Sequence, residues 1–375
     1  MSSISNSGWR AWGVGVRLRF VIAVALSPLA GCGDESSSLV DMASDGSDVA
    51  VVRRSGGKQV VEGGGQRIGG EYDSVRFLTQ SPSGNVIFAA RSGKDWVVMR
   101  GEEQVGERYE HVTKLTVSRA GSVAFVVPAE HKQIIIQDGK RAITPLDSVT
   151  GFTFGRDGKA LVVTAVDGGK AALIRDGSRQ TLDYEAVSEP RLTAEGESLY
   201  CWAYKDGAAV LLKDGQPVTD AHHIIDSWAV SPDGKSVAYV SKTEDRVFSV
   251  FRNRTLIDGD LPVGGWVVSP VFAPDSGAVG YLVQSGGKWS VRVDGERRWS
   301  PVEAEAASDL IFSPDGQSTA CAVKRHDGWC VCVDGRMASG AFDRIVGLRA
   351  TPSGDAIKFV GVRDGAAAHM SVAWK

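Results

Sequence analysis

The side chains of this 375-residue chain that could do chemistry are few and scattered. Cys321, Cys330 and Cys332 lie close together, on two strands joined through Lys324-Arg325-His326-Asp327-Gly328. Strand alternation puts Cys330 and Cys332 on one face, and a register that opposes Cys321 to Cys332 would bring those two sulfurs within reach of a disulfide. The spacing lacks the paired Cys-x-x-Cys form of a zinc site, which disfavours a metal centre built with His326, so burial between sheets is the alternative use of these thiols. His222 and His223 are adjacent, and neighbouring side chains of a strand point to opposite faces, so both can serve one site only from a loop. Trp96, Trp289 and Trp329 occupy one position of a recurring unit, where tryptophan can anchor a partner or wedge between sheets. No His-Glu-x-x-His, Gly-x-Ser-x-Gly or phosphate-binding loop is present. The residues therefore assign no catalytic group, no metal and no cofactor.

The recurring unit is the dominant signal. Ser231-Pro232-Asp233-Gly234 and Ser313-Pro314-Asp315-Gly316 are identical, and weaker copies begin at Ser81, Ser118, Gly155, Thr193, Ala273 and Thr351. The spacing of about 40 residues is that of a repeat architecture whose units cannot bury an apolar face alone. Short runs rich in Val, Ile, Phe and Tyr flank each turn, and Pro followed by Asp-Gly is the chemistry of a tight turn, so each copy predicts a β-hairpin. A second marker, Asp-Gly, follows a third strand at Asp138, Asp176, Asp214, Asp294 and Asp334, with Asn253-Arg254 in its place once. A fourth strand leads to the next unit, so each unit predicts four antiparallel strands, the size of a propeller blade.

The phrase Phe-Ser-Pro-Asp-Gly-x-x-x-Ala at Phe312 to Ala320, with its near copy from Val230 to Ala238, resembles the WD40-like repeat of TolB-type β-propellers. The resemblance runs from Asp73 to Lys375 and implies an all-β propeller of four-stranded blades. Eight turns predict eight blades, with seven as the alternative. The repeats start near residues 72, 110, 147, 184, 222, 261, 303 and 342. The last has only three strands before Lys375, so residues 49–71 are expected to close the ring by pairing with it, within a propeller spanning 49–375.

Ahead of that domain, Arg10, Arg17 and Arg19 precede the apolar run Phe20 to Leu26 and then Leu29-Ala30-Gly31-Cys32. A basic stretch, about ten apolar residues and small residues at a cleavage point form an export signal, too short for a lasting span. Leu-Ala-Gly-Cys resembles the lipobox of bacterial lipoproteins, which implies removal of residues 1–31 and acylation of Cys32. Residues 32–48 then read as the lipidated cysteine and a flexible acidic tether. The resemblance implies a bacterial cell-envelope address, with the outer membrane favoured because Gly33 stands where inner-membrane lipoproteins commonly carry Asp.

With 42 Lys and Arg against 45 Asp and Glu, loss of the three N-terminal arginines leaves 39 basic and 45 acidic residues, a formal charge of −6. That balance lacks the basic field that nucleic acid requires. The leading expectation is a lipid-anchored, non-enzymatic binding module for an envelope protein or polysaccharide, seated on the face that carries the turns before the third strands. The alternative is a propeller-type glycan lyase or hydrolase with its site at the central channel.

Overall fold

A computed structural model describes residues 38–44, 49–81, 83–193, 196–243, 245, 247–261 and 265–374. Among them the strands form nine antiparallel sheets in chain order. We number these blades 1 to 9, over residues 38–72, 74–109, 114–141, 148–181, 186–217, 224–261, 266–303, 306–337 and 344–373. The fold is a nine-bladed β-propeller. Within each blade the strands run in order from the inside outward, and the first strands of successive blades approach one another along the ring.

The turn residues carry out three jobs. In the turn between first and second strands, Gly316 N–H donates to the Ser313 carbonyl (2.8 Å) and Ser318 N–H donates to Ser313 Oγ (2.9 Å). The Ser313 hydroxyl in turn donates to Asp315 Oδ1, which also accepts Gln317 N–H at 3.0 Å. Ser81, Ser118, Thr193, Ser231 and Thr351 repeat the hydroxyl contact, which explains why the first turn position favours Ser or Thr.

The Asp of the later Asp-Gly turn adopts left-handed backbone, with φ of 46° at both Asp138 and Asp334. Its carboxylate accepts the N–H that starts the second strand: Val123 to Asp138, Leu199 to Asp214, Val279 to Asp294 and Thr319 to Asp334, at 2.8 to 3.0 Å. Asn253 stands in without loss. It tolerates φ 54° and its Oδ1 accepts Val237 N–H at 3.0 Å.

Second strands are apolar without alternation because both of their faces are covered. In Val86–Ala90 and Val123–Val127 every residue is buried. Ile87 and Ala89 of blade 2 pack with Val123, Phe125 and Val127 of blade 3. The intervening Ala124 and Val126 pack the other way, with Leu161, Val163 and Ala165 of blade 4. Each blade thus divides its residues between two cores. Fully burying a Val, Leu, Ile or Phe side chain contributes about 1.5–3 kcal/mol.

The blade count and the seam correct the sequence reading, which expected eight blades, or seven, with residues 49–71 completing the last one. Instead Val49–Ser55, Lys58–Gly63 and Gln66–Tyr72 belong to a sheet of their own, whose first strand is Ser38–Ser44, inside the expected tether. Blade 9 keeps three strands, Arg344–Ala350, Ala356–Arg363 and Ala366–Ala373. The ring closes by face packing: Val51 of blade 1 meets Val360 and Val362 of blade 9, and Arg53 Nη1 donates to the Gly365 carbonyl at 3.0 Å. The strand Ser38–Ser44 sits in an acidic, serine-bearing stretch with no Ser-Pro-Asp-Gly signature, which is why the repeat count stopped at eight.

The turn clamp is testable at Asp334, because Thr319, whose N–H it accepts, is 1% exposed. Asp334→Ala should destabilise the chain by about 1–2 kcal/mol by orphaning that N–H, whereas Asp334→Asn, which copies Asn253, should cost well under half of that. Urea denaturation of the two variants gives the comparison.

Candidate functional site

Two families of turns define two faces. The turns just described, between first and second and between third and fourth strands, lie on one side. The turns between second and third strands share the opposite side with the links from blade to blade, and we call this the loop face.

An acidic residue at the entrance to several blades clips the loop face together. Asp73 Oδ1 accepts Lys58 Nζ at 2.5 Å and its Oδ2 accepts Gly93 N–H at 2.7 Å. Asp147 does the same with Lys132 Nζ and Gly168 N–H, both at 2.7 Å. Asp343 accepts Asp364 N–H at 2.8 Å, and Asp183 pairs with Lys205 (2.5 Å) and Lys170 (3.4 Å). The lysine partner, then the turn N–H, hold the Asp73 and Asp147 carboxyls below the usual carboxylate range. Lys205 and then Lys170 do the same for Asp183.

The junction of blades 7 and 8 differs. Its link is long, with an extra short strand at Val302–Glu303 pairing to Lys288 and Trp289. Glu305 N–H donates to the Lys324 carbonyl at 2.7 Å, just as Asp73 N–H donates to that of Arg91 at 2.8 Å, so Glu305 is the entrance acid of blade 8. Its carboxylate pairs with Lys324 Nζ at 3.0 Å, and Glu303 pairs with Lys288 Nζ at 3.3 Å. Beside them opens a cleft of about 750 Å³. Val302, Ala304 and Met337 give it an apolar lining, and Arg325, His326, Gln284 and the two carboxylates of Glu303 and Glu305 a polar one of mixed charge.

His326 thus lines the cleft, its Nδ1 4.0 Å from Asp327. His222 sits elsewhere, at the junction of blades 5 and 6, hydrogen-bonded through Nε2 to the Tyr239 hydroxyl at 2.8 Å and packed on Phe251 with ring centres 4.8 Å apart. Burial pushes its imidazole below the ordinary histidine range, so it stays neutral at pH 7. His223 follows on the exposed side of the link, so the chain directs the two histidines differently.

The tryptophans expected on the binding face are packing residues. Trp96 and Trp289 are 4% and 6% exposed, each within an inter-blade cluster, and Trp329 is half-buried against the cluster of blades 8 and 9. Position in the repeat could not distinguish these roles, because the same third-strand position serves either use and only the packing of the neighbouring blade decides it. Cys321 and Cys332 are directly opposed, in the expected register, with free thiols. Burial raises the Cys321 thiol well above its ordinary value and the Cys332 thiol to about 12, which keeps both protonated. Cys32 lies outside the described residues.

Sequence reasoning passed over the inner strands. Bulges interrupt several of them, after Arg76, Val149, Ile225, Val268, Ser308 and Val346. Two inner-strand cations bridge to the carbonyl of the next blade, Lys114 to Thr150 and Arg191 to Trp228, and the Arg191 guanidinium lies 4.4 Å from the centre of the Trp228 ring. Gly151 is obligatory nearby, since a Cβ there would fall 2.6 Å from the Cα of Glu189. Burial raises the Asp226 carboxyl, with Lys242 opposing. Trp266, at the head of the inner strand of blade 7, is 51% exposed.

No family model matches the chain, and no curated protein does. Among solved structures, the crystal structure of a eukaryotic initiation factor is similar over 82% of this chain and 88% of its own, with 16% identity and a TM-score of 0.55. A Dos1 propeller (11% identity, TM-score 0.48, covering 77% of this chain and 90% of its own) and Kuenenia stuttgartiensis hydrazine synthase (11%, 0.40, covering 70% and 95%) are more distant. At such identities the likeness concerns the fold alone.

The clips give a pH dependence. The folded-state carboxyl of Asp147 is depressed, so its contribution is present above the unfolded value near 3.9 and is lost as pH falls through the folded one. Asp147→Asn should therefore be less stable than the parent at pH 7, and the difference should shrink toward zero below about pH 4. Urea midpoints measured across that range test it; a difference independent of pH would remove the charge from the account.

Proposed function

We propose that this chain is a lipid-anchored propeller of the bacterial cell envelope, of the TolB-type WD40-like kind, acting as a non-enzymatic binding module. It takes an extended segment of a partner protein into the cleft between blades 7 and 8. The observation that carries the reading is that cleft: a volume of about 750 Å³ on the loop face, with Val302, Ala304 and Met337 able to take apolar side chains, Arg325, His326 and Gln284 able to hold peptide carbonyls, and Glu303 and Glu305 able to accept peptide N–H groups. The opposite face supports the reading by contrast, because its Ser, Thr, Asp and Asn side chains already bond to their own turns. The anchor rests on Leu29-Ala30-Gly31-Cys32 behind a basic and apolar leader. Several acyl chains, at about 0.8 kcal/mol per buried methylene, hold a protein durably at a membrane.

Two measurements test the two halves. Cys32→Ser should abolish incorporation of a fatty-acid analogue and release the chain from membranes; an unlabelled parent chain in a host that acylates lipoproteins would sink the anchor. For the cleft, a photo-crosslinking residue at Gln284 identifies the bound protein in envelope preparations. Ala304→Arg and Met337→Arg should then weaken capture of that protein more than tenfold with folding retained, while Lys235→Ala and Gln317→Ala on the other face leave it unchanged. Normal capture by both cleft variants would place the interface elsewhere.

A further inference from the structure

Among the described residues, blade 9 carries an edge that the other blades do not. Its outermost strand is Ala366–Ala373, eight residues without a charge: Ala-Ala-Ala-His-Met-Ser-Val-Ala. Sheet edges of this length offer unpaired N–H and C=O groups to other chains and are ordinarily blunted by charge, shortness or bulges. Elsewhere in the ring those devices are in place. Gln66–Tyr72 carries Arg67 and Glu71, Glu103–Tyr109 carries Glu103, Glu107 and Arg108, and the outer strands of blades 3, 5 and 8 span only two residues. Corresponding third strands in other blades are buried through their centres, as in Asp95–Arg100 and Lys170–Arg175. In Ala366–Ala373 the centre from Ala368 to Ser371 is exposed, with Met370 38% open to solvent.

We infer that this edge pairs with the same edge of a second copy, joining two blades 9 into one continuous antiparallel sheet across a two-fold axis. The register follows from the hairpin. Asp364 and Gly365, both left-handed at φ 51° and 73°, form a two-residue turn between the directly opposed Arg363 and Ala366. Such a closing pair is hydrogen-bonded, so Ala366, Ala368, Met370 and Val372 bond inward to Ala356–Arg363. Ala367, His369, Ser371 and Ala373 therefore direct their N–H and C=O groups outward. A two-fold perpendicular to the sheet requires paired residues of equal parity. Centred on Met370, it sets His369 opposite Ser371 and Ala367 opposite Ala373 of the second copy, which satisfies every outward group of those four residues. Centred on His369, it would leave Ala373 beyond the paired set and oppose the two imidazoles. The Met370 register puts the exposed large apolar side chain of the strand against its own copy and brings no like charges together. A second copy is thus the occupant the edge fits, because the strand is complementary to itself along its length.

The geometry provides its own probe. Residues facing each other at a non-hydrogen-bonded position have Cα atoms about 4.5 Å apart, within the span of a disulfide. Full-length chain carrying Met370→Cys, in detergent and under mild oxidation, should run as a reducible covalent dimer, whereas Lys94→Cys, exposed on a second-to-third strand turn of blade 2, should remain monomeric; the described native cysteines are buried and do not compete. Light scattering on the parent should give twice the monomer mass. Met370→Lys sets two ammonium groups face to face and should return the mass to that of a monomer with an unchanged near-ultraviolet circular dichroism spectrum, while Gln66→Lys on the outer strand of blade 1 leaves the dimer intact. A monomeric parent, together with a Met370→Cys variant that fails to crosslink, overturns the inference, and so does a dimer that survives Met370→Lys.

Discussion

Each sheet of this protein has two apolar faces, and that constraint shapes everything else. A strand such as Val123–Val127 directs alternate residues into two separate cores, so no blade is stable without a neighbour on both sides. A linear stack would leave two such faces in water, and a ring leaves none. The contact of Val51 with Val360 and Val362 is where this requirement is met last, between parts of the chain about three hundred residues apart, with Arg53 and the Gly365 carbonyl as its polar counterpart.

Much of this was legible in the chain because the repeat marks its turns with residues that have a local mechanism. Ser or Thr caps its own turn, Pro presets φ, and Asp accepts the N–H of the adjacent strand while holding left-handed backbone. The same logic reads Asn253 as an intact copy. The count failed by one blade because the first strand, Ser38–Ser44, lies in a stretch whose acids and serines resemble a tether. What proved illegible was orientation. Trp96 and Trp289 share a repeat position with Trp329, but whether such a side chain meets solvent or a neighbouring sheet depends on packing between blades, which no local motif encodes. The cleft left a fainter trace: the turns beginning at Ser231, Ala273 and Ser313 are spaced wider than the others, and the longer links lie there.

The two faces of the ring divide their labour accordingly. On one, Ser, Thr, Asp and Asn side chains bond within the turns and to the adjacent strand starts, and Arg252 and Arg298 reach the turn of the next blade, so much of the hydrogen-bonding capacity is already used in folding. On the other, entrance acids such as Asp73 and Asp147 tie neighbouring blades through exposed ion pairs, each of modest strength. At the junction of blades 7 and 8 the entrance acid Glu305 pairs with Lys324, and a cleft with an apolar lining opens beside it. A rigid ring that varies its links can thus alter a binding surface without disturbing the cores.

Closure of the ring through blade 1 is the claim on which the rest stands, and hydrogen exchange tests it most directly. Removing residues 38–48 takes away the inner strand of blade 1 and, with it, the support that holds Val51 against blade 9. Closure predicts that the amides of Val360 and Val362, over three hundred residues away, lose protection together with those of Val51 and Val52, and that the melting temperature falls. Unchanged protection at Val360 and Val362, with blade 1 alone loosened, would contradict it.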